Sequence, residues 1–324
     1  MKNLVFSEEV GILHGVQNEK NLIPNSSPAT SGLTKTVIFT ADDFGMSPAL
    51  NGAVALAHRH GLLRGASLMV TGPAVEQAVA MARDLPDLCL GVHLTLLQGR
   101  SALPPKDIPH LVDSRGNFPN NPVQAGWRYY WRPELLPEIR RELAAQIEAA
   151  LARGLKIWFL NSHVNLHLHP SIFPVVVELT QEYGIPAIRL PQEDWRTAIS
   201  LDAHGLIPKI AQGLIFAHLC RRARRLAQAA GLIYNDYLFG LLNDGHMTED
   251  YLLGLVPHLQ PGITEIYLHP GLFADPELHQ WAPRYQRQEE LVGLLSPRLK
   301  EALEAAGVEV SDFREMLLRR VNTG

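Results

Sequence analysis

Cysteine is scarce in this chain. Cys89 and Cys220 are the only two in 324 residues, too few for a disulfide framework, so a reducing cytoplasm is the simplest setting. No apolar run reaches the ~20 residues that a membrane-spanning helix needs. Met1 to Ala29 lacks the basic start and long apolar core of a secretory signal. An excess of one charge sign is missing too. The 29 Lys and Arg nearly balance the 33 Asp and Glu, leaving a net charge of −4 and no global field that favours nucleic acid as a partner. Internal repeats are absent. A chain that is 46% hydrophobic and 19% charged belongs to the ordinary globular class. Its length suits one large α/β domain, since barrels of this kind run to ~250 residues as a single unit.

Residues 1–35 are polar and carry the cluster Asn25-Ser26-Ser27-Pro28, which reads as a poorly ordered extension ahead of a domain over 36–324. The folded part opens with Thr36-Val37-Ile38-Phe39-Thr40, a short β-branched run that reads as a buried strand. Ser47-Pro48 reads as a helix cap followed by proline at the first helical position. Further strands are expected at Ala66 to Val70, Leu88 to Leu94, Ile157 to Leu160, Ala187 to Leu190, Glu265 to Leu268 and Val308 to Val310. Helices are expected over Ala74 to Arg83, Pro133 to Arg153, Ile172 to Tyr183, Thr248 to Leu259 and Gln286 to Ala306, the last broken near Pro297. Gly99 to Arg132 reads as a long stretch that is functional or partly structured, with a role as a lid left open by the sequence, and Asp194 to Leu232 as less regular. About seven strands alternating with helices predict a barrel or a closely related open sheet, with sites beyond the carboxyl ends of the strands.

Fourteen histidines are present, and position decides which matter. Asp42-Asp43 follows the first strand. In an extended chain adjacent side chains point apart, so the two carboxylates can divide the work of binding a cation and accepting a proton. The same pair equally suits a solvated loop or a helix cap. His93 ends the apolar run Cys89-Leu90-Gly91-Val92-His93-Leu94, where an unpaired imidazole is costly; a core histidine bonded to a backbone carbonyl is the plainer reading. Gly91 there permits close packing. His163 stands at the next strand end, with His167 and His169 in the loop before Pro170, where a helix is expected to begin. A zinc-protease pair on one helix is excluded because Pro170 and the strand demand a loop, and no Glu follows His163. His269 ends the strand at Glu265 to Leu268 and suits protonation of a leaving amine. Arg189 and Arg284 are candidate pocket cations.

Taken together, Ala41-Asp42-Asp43-Phe44-Gly45 with Ser47 and Asn51, Ser67-Leu68-Met69, Gly91-Val92-His93-Leu94, Ser162-His163 and His269-Pro270 resemble the YdjC-like carbohydrate deacetylase family over Thr36 to Met316. Leu103-Pro104-Pro105, Tyr130-Trp131-Arg132-Pro133, Ile188-Arg189-Leu190-Pro191 and Glu265 to Gly271 are similar to its hopanoid biosynthesis-associated branch, HpnK. The resemblance implies a TIM-barrel-like, distorted β/α-barrel deacetylase fold in one domain. It implies one divalent ion held by Asp43, His93 and His163, with zinc first and magnesium or another divalent ion as alternatives. It implies Asp42 as base, His269 as acid, and His167, His169, Arg189 and Arg284 against the substrate. The family often carries a basic residue or His just after the metal His; Val164 and Asn165 stand there instead, which touches substrate contacts rather than metal binding. The branch implies an acetylated sugar on a hopanoid lipid, with a chitooligosaccharide or another small sugar, or a different amide or phosphoester bond, as alternatives.

Ile207 to Arg225 has its own signal. Leu214, Ile215, Phe216 and Leu219 precede Arg221, Arg222, Arg224 and Arg225. An apolar stretch beside a basic cluster can rest on anionic lipid at the inner membrane face, or it can be a core helix with a solvated end. A homodimer is compatible with the sequence, which fixes no oligomeric state.

Overall fold

The computed structural model describes residues 34–323. Apart from Thr34 and Lys35, the expected extension over 1–35 lies outside the described residues. The chain runs β1 (Lys35–Phe44), α1 (Pro48–His60), β2 (Gly65–Leu68), α2 (Val75–Arg83), β3 (Cys89–Leu94), α3 (Pro122–Trp131), α4 (Leu136–Ala152) and β4 (Phe159–Ser162). It continues with α5 (Phe173–Glu182), β5 (Ala187–Ile188), α6 (Trp195–Leu201), α7 (Leu206–Ala229), β6 (Tyr237–Phe239), α8 (Glu249–Leu255) and β7 (Gly262–Leu268). It closes with α9 (Pro276–Trp281), α10 (Arg287–Leu295), α11 (Pro297–Ala305), β8 (Val308–Val310) and α12 (Phe313–Thr323).

The strands are parallel, in the order β5-β4-β3-β2-β1-β7-β6, and β8 pairs with the first residues of β1. Single bridges, Ala187 to Ile233 and Glu193 to Leu238, tie the two ends of the path together. The result is the expected distorted β/α barrel. Apart from the ten-residue β1 its strands are short, and they are largely buried on both faces, as a helix-wrapped parallel sheet requires. Ser47 caps α1 by accepting from Leu50 N, with Pro48 in the first turn.

Side-chain alternation divides the barrel interior into two levels. Ile38, Cys89, Phe159 and Ala187 form an apolar floor with Ile233, sealed by Phe313 and Met316 of α12. Two residues further along the same strands stand Thr40, Gly91, Asn161 and Arg189, and two beyond Thr40 and Gly91 stand Asp42 and His93. Inward positions are thus apolar at the amino end and polar at the carboxyl end, and the odd-numbered partners Val37, Phe39 and Ala41 pack outward in the main core.

Several expectations are corrected. The stretch 99–132 is partly structured, as its length suggested: Asn121 accepts from Val123 N and Gln124 N, Pro122 enters the first turn, and α3 follows. The stretch 194–232 is not irregular but holds α6 and the 24-residue α7. Only Gly213, Cys220, Ala223 and Ala227 of α7 are buried, and such small contacts leave no apolar period to read. The segment after β4 is a short 3-10 turn over His163–Leu168, and α5 starts at Phe173 with Pro174, not Pro170, in its first turn. β6 and α12 were not expected; three residues of β6 are too few to show a pattern.

Candidate active site

Asp42 and Asp43 belong to β1 itself, not to a loop after it. The pairing of β1 with β2 slips between Ala41 and Phe44, so this pair of residues forms a bulge, and Asp43 takes a left-handed conformation with φ 61°. A regular pleat would send the two side chains to opposite faces. The bulge instead turns both toward His93, with Asp43 Oδ1 at 3.3 Å from Nε2 and Asp42 Oδ1 at 4.0 Å from Nδ1.

Two amides set the histidine tautomers. Asn161 Nδ2 donates to Asp42 Oδ1, so Asn161 Oδ1 must accept, and it accepts from His93 Nδ1–H at 2.8 Å. Ser67 Oγ donates to Asp42 and lies 3.0 Å from the same nitrogen. His93 Nε2 is left as a bare acceptor, buried and without a hydrogen-bond partner. Gln98 Nε2 donates to Asn120 O, which turns Gln98 Oε1 to His163 Nε2 at 3.3 Å. His163 Nδ1 then faces Asp43 Oδ1 at 3.1 Å. A carboxylate and two imidazole lone pairs therefore converge, their ligand atoms all within 4.8 Å of one another. Three acceptors aimed at one point, two of them on buried side chains, repel unless a cation lies among them. Asp43, His93 and His163 fit a divalent ion on that ground, with the second imidazole nitrogens held by outer partners as metal-binding histidines require.

Electrostatics separates the two aspartates. Burial works to raise the Asp42 pKa, but the Arg189 guanidinium, then His93, overcome it and hold the group at about 2. Arg189 clasps Asp42 with two nitrogens, at 2.5 and 2.9 Å, and reaches Glu265 Oε1 at 2.8 Å. Asp42 is ionised throughout the neutral range, and among the described residues Oδ2 accepts only from Arg189. Burial works to raise the Asp43 pKa as well, but the neighbouring His163 outweighs it and keeps the group well below the usual carboxylate range.

His269 follows β7 and faces the cluster, with Nε2 3.8 Å from Asp43 Oδ2. Its Nδ1 lies 3.3 Å from Asp244 Oδ1, and Tyr285 donates to the other Asp244 oxygen. Burial drives both partners toward neutral forms, His269 down to about 4 and Asp244 up to about 7. Glu290 accepts from His269 N at 2.6 Å and fixes the backbone.

The remaining expected residues fall elsewhere. Arg189 is completely buried as the partner of Asp42 and Glu265, not a wall cation. His167 is buried with Nδ1 on Ser162 Oγ and Nε2 on Arg189 O, so both nitrogens are committed to the fold. His169 Nε2 meets Gly126 O and Nδ1 accepts from Ser171 N, tying α3 to the β4 loop. Arg284 is exposed and makes no ion pair among the described residues; Arg287 instead donates to His269 O. Sequence reasoning gave no role to Ser67, Gln98, Asn161, Asp244 or Tyr285. The period-2 register with Phe159 could have found Asn161; nothing local marks Asp244, which follows the three-residue β6.

Fold and site together define an α/β barrel with a metal-type centre of one carboxylate and two imidazoles at the carboxyl ends of its strands. The family model described as YdjC-like protein matches residues 36–305, and the chain belongs to that family. It is 32% identical over 284 residues to a protein of Geobacillus stearothermophilus named carbohydrate deacetylase, covering 86% of this chain and 96% of the relative. A Vibrio cholerae serotype O1 (strain M66-2) protein of the same name is 30% identical over 286 residues, covering 87% and 96%. A crystal structure from Enterococcus faecalis V583, described as that of a candidate cellobiose-phosphate cleavage protein, shares the fold with a TM-score of 0.68 and 26% identity, over 88% of this chain and 99% of that one.

Proposed function

We propose that this chain is a metal-dependent carbohydrate N-deacetylase, which hydrolyses the acetamide of an amino sugar to a free amine and acetate. The observation that carries the reading is the convergence of ligand atoms from Asp43, His93 and His163, with His93 Nε2 buried and unpartnered, beside an ionised Asp42 and a His269 whose Nδ1 lies 3.3 Å from Asp244. The names of the relatives supply the substrate class. A divalent ion, zinc first for a donor set of two imidazoles and one carboxylate, would polarise the acetyl carbonyl and lower the pKa of water toward ~7.

The chain's own residues do the rest. Asp42 takes the proton of the attacking water, held ionised and aimed by Arg189, Ser67 and Asn161. His269 passes a proton to the departing nitrogen, and Asp244, 3.3 Å from Nδ1, stands where it stabilises the imidazolium as it forms against the burial that disfavours it. Asp42→Asn is expected to keep bound metal while acetate release falls by ~10²–10⁴. His93→Ala is expected to lose both. Near-wild-type acetate release by purified Asp42→Asn would refute the base assignment.

The hopanoid branch adds a lipid-borne sugar as the acceptor. Its support is the α7 face, where Ile207, Leu214 and Ile215 are exposed beside Arg221, Arg222 and Arg225. Co-flotation with anionic liposomes, lost when those three arginines are reversed to glutamate, is the expected result. Absence of co-flotation by the wild type removes the membrane contact.

A further inference from the structure

We propose that Gln98 is a positioning residue for the metal-type centre. Its carboxamide fixes which nitrogen His163 offers to the ion, and so sets how tightly the ion is held. The inference rests on the metal-dependent reading and carries it outward to a residue outside the ligand set. Gln98 belongs to no strand or helix. It lies in the segment that leaves β3, the strand of His93. Its side chain crosses to the ligand of the neighbouring strand β4, with Oε1 3.3 Å from His163 Nε2.

The direction of the amide follows from its partners. A backbone carbonyl only accepts, so the contact of Gln98 with Asn120 O at 3.1 Å uses the Nε2 donor. Oε1, an acceptor, is then the atom turned to His163, and a proton on His163 Nε2 satisfies it. A neutral imidazole carries one such proton, so Nδ1 keeps its lone pair, and Nδ1 is the nitrogen 3.1 Å from Asp43 Oδ1. His93 is arranged the other way round, with Nδ1 on Asn161 and Nε2 bare. Asn161 holds the first histidine from inside the barrel, where it is completely buried, and Gln98 holds the second from a half-buried position. A His163 freed of Gln98 can turn its ring over or shift its proton, and either change takes the lone pair away from Asp43.

The backbone shows that this placement is enforced. Gln98 takes φ 51°, in the left-handed region that a residue with a Cβ enters at a cost. Its N–H donates to Pro119 O at 3.0 Å, and its side chain reaches the next carbonyl along, that of Asn120. Gln146 of α4 brackets Thr95, accepting from its N–H at 2.8 Å and donating to its carbonyl at 2.7 Å. Tyr129 of α3 donates to Leu96 O at 2.9 Å, and Phe118 N to Gly99 O at 2.9 Å. A segment pinned this way by α3 and α4 can keep one residue in a costly conformation. The side chain that the conformation delivers is the one that meets a metal-type ligand. Among the described residues its hydrogen bonds go to Asn120 O and His163 alone.

Two measurements on the full-length, metal-free protein test the role without turnover, with thermal melts to show that each variant is folded. Long-range proton–nitrogen NMR spectra report which imidazole nitrogen carries the proton, the His163 signals being those lost in His163→Gln. His163 is expected in the Nε2–H form in the wild type and as a mixture in Gln98→Leu. Chelator competition for zinc is expected to show roughly tenfold to hundredfold weaker binding in Gln98→Leu and Gln98→Gly, the usual cost of removing the partner behind a metal-binding histidine. Glycine relaxes the left-handed backbone, so similar losses in the two variants place the effect on the amide rather than on strain. Gln98→Glu keeps an acceptor and should retain most of the affinity. Wild-type zinc affinity in a folded Gln98→Leu overturns the role. So does an affinity lost equally in Gln98→Glu with the His163 proton unmoved in every variant, which makes Gln98 a residue of the fold alone. A wild type that holds the Nε2–H form but takes up no zinc contradicts the metal-dependent reading instead, and leaves the hold of Gln98 on the His163 proton standing.

Discussion

Four residues other than glycine take positive φ among those described: Asp43, Gln98, Val164 and Asn165. Asp43 belongs to the metal-type cluster, Gln98 touches His163, and Val164 and Asn165 directly follow His163 in the chain. Strain concentrated on one site and tolerated nowhere else in the described chain marks where the fold is held against local preference for a purpose. At this scale the sequence displayed the ionisable groups but not their partners. Asp42, Asp43, His93, His163 and His269 were legible because each stands at the end of a recognisable strand. The roles of Arg189 and His167 were not, because sequence shows charge without showing burial; a fully buried arginine between two carboxylates looks the same as a surface one. Asp244 is the residue whose loss tests the acid. Asp244→Asn is expected to leave metal content unchanged and to lower kcat about ten- to a hundredfold with little change in KM, a share of the ~10²–10⁴ that a general acid contributes. An unchanged kcat would assign Asp244 to the fold alone.

The elements explain why these side chains meet. Along each barrel strand the inward positions pass from an apolar floor to a polar top within a few residues, as in Cys89, Gly91 and His93 of β3 or Phe159 and Asn161 of β4. Gly91 pairs directly with Phe159, and a Cβ at Gly91 would lie 2.5 Å from its ring. The glycine lets the Phe159 ring cross the barrel beneath His93. Gly91→Ala is therefore expected to destabilise the protein by ~1–3 kcal/mol, read as a lower Tm or denaturant midpoint; a stability equal to wild type would show that the floor can repack. Strand existence, the Ser47-Pro48 cap and the break at Pro297 were legible because local chemistry dictates them. The helix α7 was not, since it packs through small residues, and α3 was hidden by the aromatic and glycine-rich composition around its own Asn121-Pro122 start.

At the scale of the whole molecule, a parallel barrel directs eight strands' worth of inward positions at one end, sealed below by α12. That architecture was foreseeable from the alternation of strands and helices; the way the ends of the sheet meet through isolated bridges was not, because β5 and β6 are two and three residues long. Among the described residues no helix is long and apolar enough to cross a membrane. The account's central claim is that the acceptors of Asp43, His93 and His163 hold a catalytic divalent ion. It is tested most directly by metal analysis of the purified protein joined to acetate release from N-acetylated amino sugars, before and after chelation. The account predicts about one equivalent of divalent metal per chain, acetate release that chelation abolishes and metal restores, and loss of both metal and activity in His93→Ala. Acetate release that persists at full rate after complete removal of metal would contradict it.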